Sequence, residues 1–130
     1  MNSGYNADTL NGDLSQNQRD LVMKKFRNKT VQILVATDVA ARGIDVDDIT
    51  HIINYSLPDD NEIYVHRSGR TARAGKKGIS IVIASNRQKK KINSIERMIS
   101  KDFLTEDVPS NEVIIEKQIV HMAESVILTE

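Results

Sequence analysis

The chain has 130 residues, with 18 lysines and arginines against 18 aspartates and glutamates, so its formal net charge is zero. A neutral total excludes a global attraction to nucleic acid, and any such binding has to come from local basic patches. The lack of cysteine excludes disulfides and metal–thiolate sites, and no apolar run approaches the ~20 residues of a membrane span. We therefore expect one soluble cytoplasmic domain without a signal peptide, a membrane contact or a metal-ligating residue.

The first part of the chain predicts a strand, a helix and a second strand. Residues 5–10 have the composition of a short strand. Ser15, followed three residues later by a glutamine, has the pattern of a helix capping box, and the helix is predicted to end near Arg27. The β-branched run 31–36 is typical of a parallel strand that is buried on both faces.

Two further strands are predicted at the apolar runs 49–55 and 79–84. Between them, Asp59 or Asp60 is expected to cap a helix that covers 61–70. Strands that alternate with helices predict an α/β fold with a mainly parallel central sheet. Ligands of such sheets bind beyond the carboxyl ends of the strands, which is where polar stretches of this chain lie.

The carboxyl-terminal part is predicted to be helical. Ser85 or Asn86 is expected to cap a basic helix that reaches about Ile99. The tail from Lys101 allows two interpretations, a helix over 112–123 or a strand that includes its three consecutive β-branched residues. We prefer the helix.

Residues 66–75 read His-Arg-Ser-Gly-Arg-Thr-Ala-Arg-Ala-Gly and hold three arginines spaced by three residues, with no acid. Residues three apart share one face of a helical turn, so at least two guanidinium groups can project together. The planar guanidinium group suits bidentate recognition of phosphate. The alternative is a solvated basic turn. Glycines at 69 and 75 and an amphipathic lead-in at 62–65 favour a ligand site.

Two other stretches carry groups that suit a phosphate and sugar backbone. Thr37 follows a predicted strand and offers a hydroxyl group and a backbone amide, while Gly43 allows close approach of a ligand. Asp45 is an acceptor for a sugar hydroxyl. Arg19 lies in the first turn of a predicted helix, where free backbone amides help to hold a phosphate. Each residue taken alone also fits an ordinary cap, turn or solvated side chain.

Together these stretches resemble motifs of the DEAD-box ATP-dependent RNA helicases, which belong to helicase superfamily 2. Residues 66–75 look like motif VI, 36–46 like motif V, and 10–19 like the motif IVa region, in the order of that family. The similarity runs over 4–99. It implies the C-terminal of two RecA-like domains, with three layers around a mainly parallel sheet.

The resemblance also implies a division of the chain. Residues 1–100 would form a partial RecA-like domain, and 101–130 would form a helical C-terminal extension. The family's motif IV strand is not found ahead of residue 4, so the resemblance implies an amino-terminally truncated domain. Because a missing strand exposes apolar surface and strand edges, we expect marginal stability, with self-association or the tail covering the gap.

On the nucleotide side, the resemblance makes Arg70 and Arg73 catalytic arginine fingers that reach the γ-phosphate of ATP. Such fingers are worth ~10³–10⁵ in rate, because they stabilise charge that develops during phosphoryl transfer. Asp45 would contact the ribose of the same ATP. The phosphate loop, the Asp-Glu-Ala-Asp tetrapeptide and the Ser-Ala-Thr motif are not in these 130 residues. ATP and Mg²⁺ would therefore be held by an N-terminal RecA-like domain, and this chain alone would not hydrolyse ATP.

On the RNA side, the resemblance implies contacts to the backbone of single-stranded or duplex RNA from Arg19, Thr37 and Gly43. Sequence specificity should be low, because such contacts read no base. The ATP and RNA sites would be coupled across the interdomain cleft by His66, Arg67 and Arg42, the last of which also suits interdomain packing.

The chain departs from the family pattern at two motif VI positions. Ser68 stands where the family usually has a bulkier aliphatic residue, and Ala72 stands where it usually has glycine. The leading interpretation is an RNA helicase domain that drives duplex unwinding with ATP. One alternative is a non-catalytic RNA-binding or partner-binding module derived from a helicase. Another is a superfamily 2 helicase that acts on DNA. The residues of motifs V and VI fit the RNA helicases better and disfavour this alternative.

Overall fold

Parallel strands flanked by helices make up the amino-terminal two-thirds of the structure. A computed structural model describes residues 5–38, 46, 49–72, 75 and 77–127. Its strands are β1 (Ala7–Leu10), β2 (Ile33–Ala36), β3 (His51–Asn54) and β4 (Ile79–Val82), and its α-helices are α1 (Gln16–Arg27), α2 (Asn61–Ser68), α3 (Lys89–Ile99) and α4 (Asn111–Ile127). A short 3-10 turn, Asn86–Gln88, precedes α3.

The described strands form two parallel pairs. β1 pairs with β2, so that Leu10 lies opposite Ala36, and β3 pairs with β4, so that Ile53 lies opposite Ile81. We call β1–α1–β2 the first unit and β3–α2–β4 the second unit. A helix joins the two parallel strands of each unit, as parallel pairing requires. This confirms the predicted α/β class with parallel strands.

The first unit is built on a small apolar core. Leu10, Val22, Met23 and Val46 are buried together, and Leu14, Phe26, Leu34 and Ile49 pack against them.

The capping box of α1 is confirmed, because the Ser15 amide donates to the Gln18 side chain at 2.9 Å and the Gln18 amide donates to the Ser15 hydroxyl at 3.5 Å.

The second unit packs against α3 and the segment that follows it. Ile95 of α3 and Tyr64 of α2 are buried, with 0% and 4% of their surfaces exposed. The Tyr64 ring meets Phe103 edge to face, with ring centroids 5.6 Å apart. The Asn61 side-chain amide donates to the Ser94 hydroxyl at 2.7 Å, which joins α2 to α3.

The expectation that 31–36 is buried on both faces is wrong within the described part of the chain. Leu34 is half-buried, whereas Val35, the next residue along β2, is 58% exposed. The second unit repeats this pattern, because one face of its strands has no described element packed on it. The apolar residues exposed on the two strand pairs are Ile33, Val35, Ile53, Ile79 and Ile81.

Helix α2 is shorter than predicted. Asp60 caps it, with a carboxylate oxygen that accepts from the Glu62 amide at 2.9 Å. The helix ends at Ser68 because Gly69 forms its C-cap and donates to the Val65 carbonyl at 2.8 Å. Arg70 therefore lies in the turn after the helix, and the predicted helix end at Arg70 is wrong by two residues.

The helical interpretation of the tail is confirmed by α4, which follows an extended segment. The side chains described for 111–124 are all exposed. At the start of α4, a hydrogen bond from the Ser110 side chain lowers the pKa of the Glu112 carboxyl below its usual value. Within the described part of the chain, no helix combines the length and apolar character needed to span a bilayer.

Candidate functional site

The Arg67 guanidinium group occupies the centre of the site and binds the Asp38 carboxylate with both arms of its fork. The distances are 2.6 Å from Nε to Oδ1 and 2.7 Å from Nη2 to Oδ2. Only 22% of the Arg67 side chain and 42% of the Asp38 side chain are exposed. Two parallel, charge-assisted hydrogen bonds fix both the distance and the orientation of the two groups.

The remaining arm of the guanidinium group reaches β3. Nη1 of Arg67 donates to the Asn54 side-chain oxygen at 3.2 Å and to the Ser56 carbonyl at 3.0 Å. Asn54 is 1% exposed, and its amide donates to the Ile81 carbonyl of β4 at 3.4 Å. One arginine therefore connects the residues beyond β2 with the buried polar group at the end of β3.

These contacts lie at the carboxyl ends of the strands. Thr37 and Asp38 follow the last residue of β2, while Asn54 is the last residue of β3. The Thr37 amide still donates to the Leu10 carbonyl of β1 at 3.2 Å, and its side chain is exposed. The structure thus brings the exposed hydroxyl expected to contact RNA next to the carboxylate that holds Arg67.

Arg70 lies half-buried in the turn that follows α2. Its amide donates to the Arg67 carbonyl at 3.1 Å. The next residue, Thr71, is buried and pairs in parallel with Ile49, whose carbonyl accepts from the Thr71 hydroxyl. Arg70 is therefore held between the end of a helix and a backbone bridge, both of which fix the path of the chain.

Gly78 packs directly on this turn. A Cβ atom at residue 78 would overlap the Thr71 side chain and the backbone nitrogen of Ala72. Ala72 itself has a φ of 56°, in the left-handed region that favours glycine. The turn that follows Arg70 is therefore tight, and it contains a residue in a strained conformation.

Three hydroxyl groups connect α2 with β4. The Ser68 and Ser80 oxygens are 2.8 Å apart, and the Tyr64 hydroxyl lies 3.4 Å from Ser80. Ser68 and Ser80 are half-buried and Tyr64 is buried. This cluster fixes the helix that carries Arg67 against the strand behind it.

The other residues predicted for the site have different positions. Arg19 is half-buried in the first turn of α1, and His66 is exposed on α2. Neither is among the residues described above that bind the Arg67 guanidinium group. Four predicted residues lie outside the described residues: Arg42, Gly43, Asp45 and Arg73.

Sequence reasoning missed the groups that hold Arg67. Asp38 and Asn54 stand at or just beyond the ends of apolar strand runs, which is the position at which polar groups of an α/β sheet meet a ligand or each other. The position of these two residues at the strand ends was the sequence feature by which they could have been found. Among the described residues, no cluster of histidine, aspartate or glutamate has the arrangement of a metal site.

Comparisons with known proteins agree with the α/β fold. The model of the helicase conserved C-terminal domain family matches residues 1–75. A DEAD-box ATP-dependent RNA helicase, CshA of Bacillus cereus, is 44% identical over 115 residues, which are 88% of this chain and 22% of that protein. The chain therefore spans about a fifth of the length of this curated relative.

Two solved structures share the fold. A DEAD-box protein of the hyperthermophile Methanococcus jannaschii is 50% identical with a TM-score of 0.68, and the match covers 76% of this chain and 27% of that one. Dbp5 of S. cerevisiae bound to RNA and ADP BeF3 is 31% identical with a TM-score of 0.69, over 89% of this chain and 31% of that one. The chain belongs to the DEAD-box RNA helicase family, in which it is a C-terminal RecA-like domain.

Proposed function

We propose that this chain acts as the second RecA-like domain of an ATP-dependent RNA helicase, which closes on ATP and RNA together with a first domain. The fork between Arg67 and Asp38 carries the proposal, because it joins the strand end of motif V to the helix of motif VI.

On the nucleotide side, Arg70 and Arg73 would stabilise charge on the transferred phosphate, and Asp45 would contact the ribose. Of these three residues the structure describes Arg70, in a turn fixed by the Thr71 bridge. A permanently charged, planar donor group suits phosphate oxygens. Support also comes from the S. cerevisiae relative, which was solved with RNA and ADP BeF3. We propose that the first domain supplies the phosphate loop and the Mg²⁺ ligands.

On the RNA side, Arg19, Thr37 and Gly43 would contact the sugar–phosphate backbone. The exposed Thr37 hydroxyl and the amides at the start of α1 are donors of the kind that phosphates accept. His66, Arg67 and Arg42 would couple this contact to the nucleotide. Because none of these contacts reads a base edge, we expect binding that differs little between RNA sequences.

A second candidate function is a module that binds RNA or a protein partner without turnover. The exposed apolar faces of the two strand pairs favour it, because such faces commonly mark interaction surfaces. The 130 residues also contain no phosphate loop. We propose that the isolated chain hydrolyses no ATP under either interpretation, so the two have to be separated in the presence of a first domain.

The test uses an exchange protein, in which this chain replaces the matching 115-residue segment of the B. cereus relative. ATP turnover is measured with and without single-stranded RNA, and the isolated chain is measured as a control. RNA binding is followed in parallel by fluorescence anisotropy at several salt concentrations.

The helicase proposal predicts turnover that rises with RNA in the exchange protein and none in the isolated chain. A folded exchange protein that binds RNA without any turnover would support the module instead. RNA affinity that is independent of salt would contradict the proposed backbone contacts, because each released counterion contributes to the salt slope.

A further inference from the structure

The function proposed above assigns Asp38 no contact with a ligand, although its contacts are the most specific of the site. Two ion pairs of the described residues differ in what they connect. Lys25 and Asp8 pair at 3.4 Å inside the first unit, whereas Arg67 and Asp38 join the second unit to the end of the first. The described strands of the two units share no ladder. The Arg67–Asp38 fork therefore adds a direct side-chain link between the two units at this edge, beside the packing of Ile49 on the core of the first unit.

The two ends of the fork adjoin the two halves of the proposed site. Asp38 directly follows Thr37, the proposed RNA contact, along the chain. Arg67 accepts a backbone hydrogen bond from Arg70, the proposed nucleotide contact. A displacement at Thr37 would move Asp38, and the bidentate geometry would pass the displacement to the helix end that holds Arg70.

The contacts of Arg67 also show what would remain if the fork were broken. With Asp38 in place, the guanidinium group has a carboxylate on one side and the Asn54 oxygen and Ser56 carbonyl on the other. If the Asp38 contact is broken, the Asn54 oxygen and the Ser56 carbonyl remain of these three partners of Arg67, and both are neutral. The positive charge of the mostly buried Arg67 side chain then loses its counter-charge. A contact that one ligand could make or break is an element through which two ligand sites can be coupled.

We propose that Asp38 is a positioning residue, which couples RNA contact at Thr37 to nucleotide contact at Arg70 by holding Arg67. This inference rests on the proposed function. Asp38 touches neither RNA nor nucleotide, and its effect is on how strongly one ligand changes the use of the other. Couplings of this kind are typically worth ~5–150-fold in affinity.

The experiment measures ATP turnover by the exchange protein with and without saturating single-stranded RNA. Asp38→Asn keeps the shape of the side chain and removes its charge. Arg67→Lys keeps the charge and removes the planar fork. Asp38→Glu is the conservative variant that tests for rescue. Asp8→Asn is the matched control, because it removes the same charge from an ion pair that stays inside the first unit.

We expect the ratio of turnover with RNA to turnover without RNA to fall about tenfold in Asp38→Asn and in Arg67→Lys. The double variant should fall no further than either single variant, since both break one contact. Asp38→Glu should recover part of the ratio, and Asp8→Asn should leave it unchanged. A merely structural role would lower the unfolding temperature and leave this ratio as it is in the unsubstituted exchange protein.

Two outcomes separate this inference from the proposed function. If the unsubstituted exchange protein folds but RNA does not stimulate it, the proposed function fails and the coupling fails with it. If RNA does stimulate it, and Asp38→Asn responds equally well, the coupling role of Asp38 is overturned while the proposed function stands. Should Asp38→Asn not fold, Asp38→Ser, which also removes the carboxylate, decides the question by the same ratio.

Discussion

Ser68 of helix α2 and Ser80 of strand β4 share a hydrogen bond with their hydroxyl oxygens 2.8 Å apart. Ser68 occupies a motif VI position at which the family resemblance implies a bulkier aliphatic residue. The structure shows how the substitution is accommodated, because the strand behind the helix offers a matching hydroxyl group. Neither half-buried oxygen is left without a partner, and the Tyr64 hydroxyl lies 3.4 Å from the same Ser80 oxygen.

This pair predicts non-additive effects on stability. Ser68→Ala or Ser80→Ala should each lower the free energy of unfolding by about 1 kcal/mol, because each leaves a half-buried hydroxyl with fewer partners. The double variant should lose clearly less than the sum of the two losses. Urea unfolding of the four proteins measures both quantities. Strictly additive losses would show that the two hydroxyl groups do not interact.

Ala72 predicts a stabilising substitution. Its φ of 56° is a conformation that a side chain disfavours and that glycine adopts freely. Ala72→Gly should therefore raise the free energy of unfolding by up to about 1 kcal/mol, against the usual direction of such a change. Ala36→Gly, in strand β2, is the matched control and should be destabilising. Thermal unfolding decides, and a loss of stability in Ala72→Gly would contradict the strained turn.

Gly78 predicts the opposite response. An added methyl group would overlap both the Thr71 side chain and the Ala72 backbone, and a backbone neighbour cannot move away without disturbing the turn. Gly78→Ala should cost about 1–3 kcal/mol of stability. The control is Gly12→Ala, because an added Cβ there meets nothing within 4 Å. Equal stabilities of the two variants in urea would show that residue 78 does not pack tightly on the turn.

The exposed apolar strand faces predict self-association of the isolated chain. Ile53 and Ile81 lie opposite each other and are 62% and 42% exposed. Ile53→Thr keeps the β-branched shape and should weaken association without unfolding the domain. Val108→Thr, in the extended segment, is the control. Sedimentation velocity over a range of concentrations measures the effect, and a monomer at every concentration would contradict the prediction.

The sequence predicted the local structure well where local chemistry decides it. Ser15 with Gln18 marked the start of α1, and the alternation of strands and helices predicted the parallel pairs. The end of α2 was misjudged, because the spacing of the arginines suggested a longer helix than Gly69 allows. The exposed face of β2 was missed since an apolar run does not show which neighbours cover it.

The candidate site, like the fold, could be predicted from the sequence only in part. The residue types in motifs V and VI predict a phosphate-binding region, which stays a prediction, and Thr37 lies just beyond a strand end as expected. The partners of Arg67 were not predicted, because Asp38 and Asn54 come from different units and meet only through the fold. Contacts between distant stretches of the chain depend on the tertiary fold, and they cannot be predicted from the sequence pattern alone.

The most direct test of the central claim is the turnover of ATP by the exchange protein when Arg70 is replaced by alanine. An arginine finger predicts that the RNA-stimulated rate falls by a factor on the order of 10³ or more, with the fold retained. Arg87→Ala, in the exposed turn before α3, is the control and should keep the rate. If Arg70→Ala turns over ATP as fast as this control, Arg70 is not a finger and the nucleotide half of the proposed function is wrong.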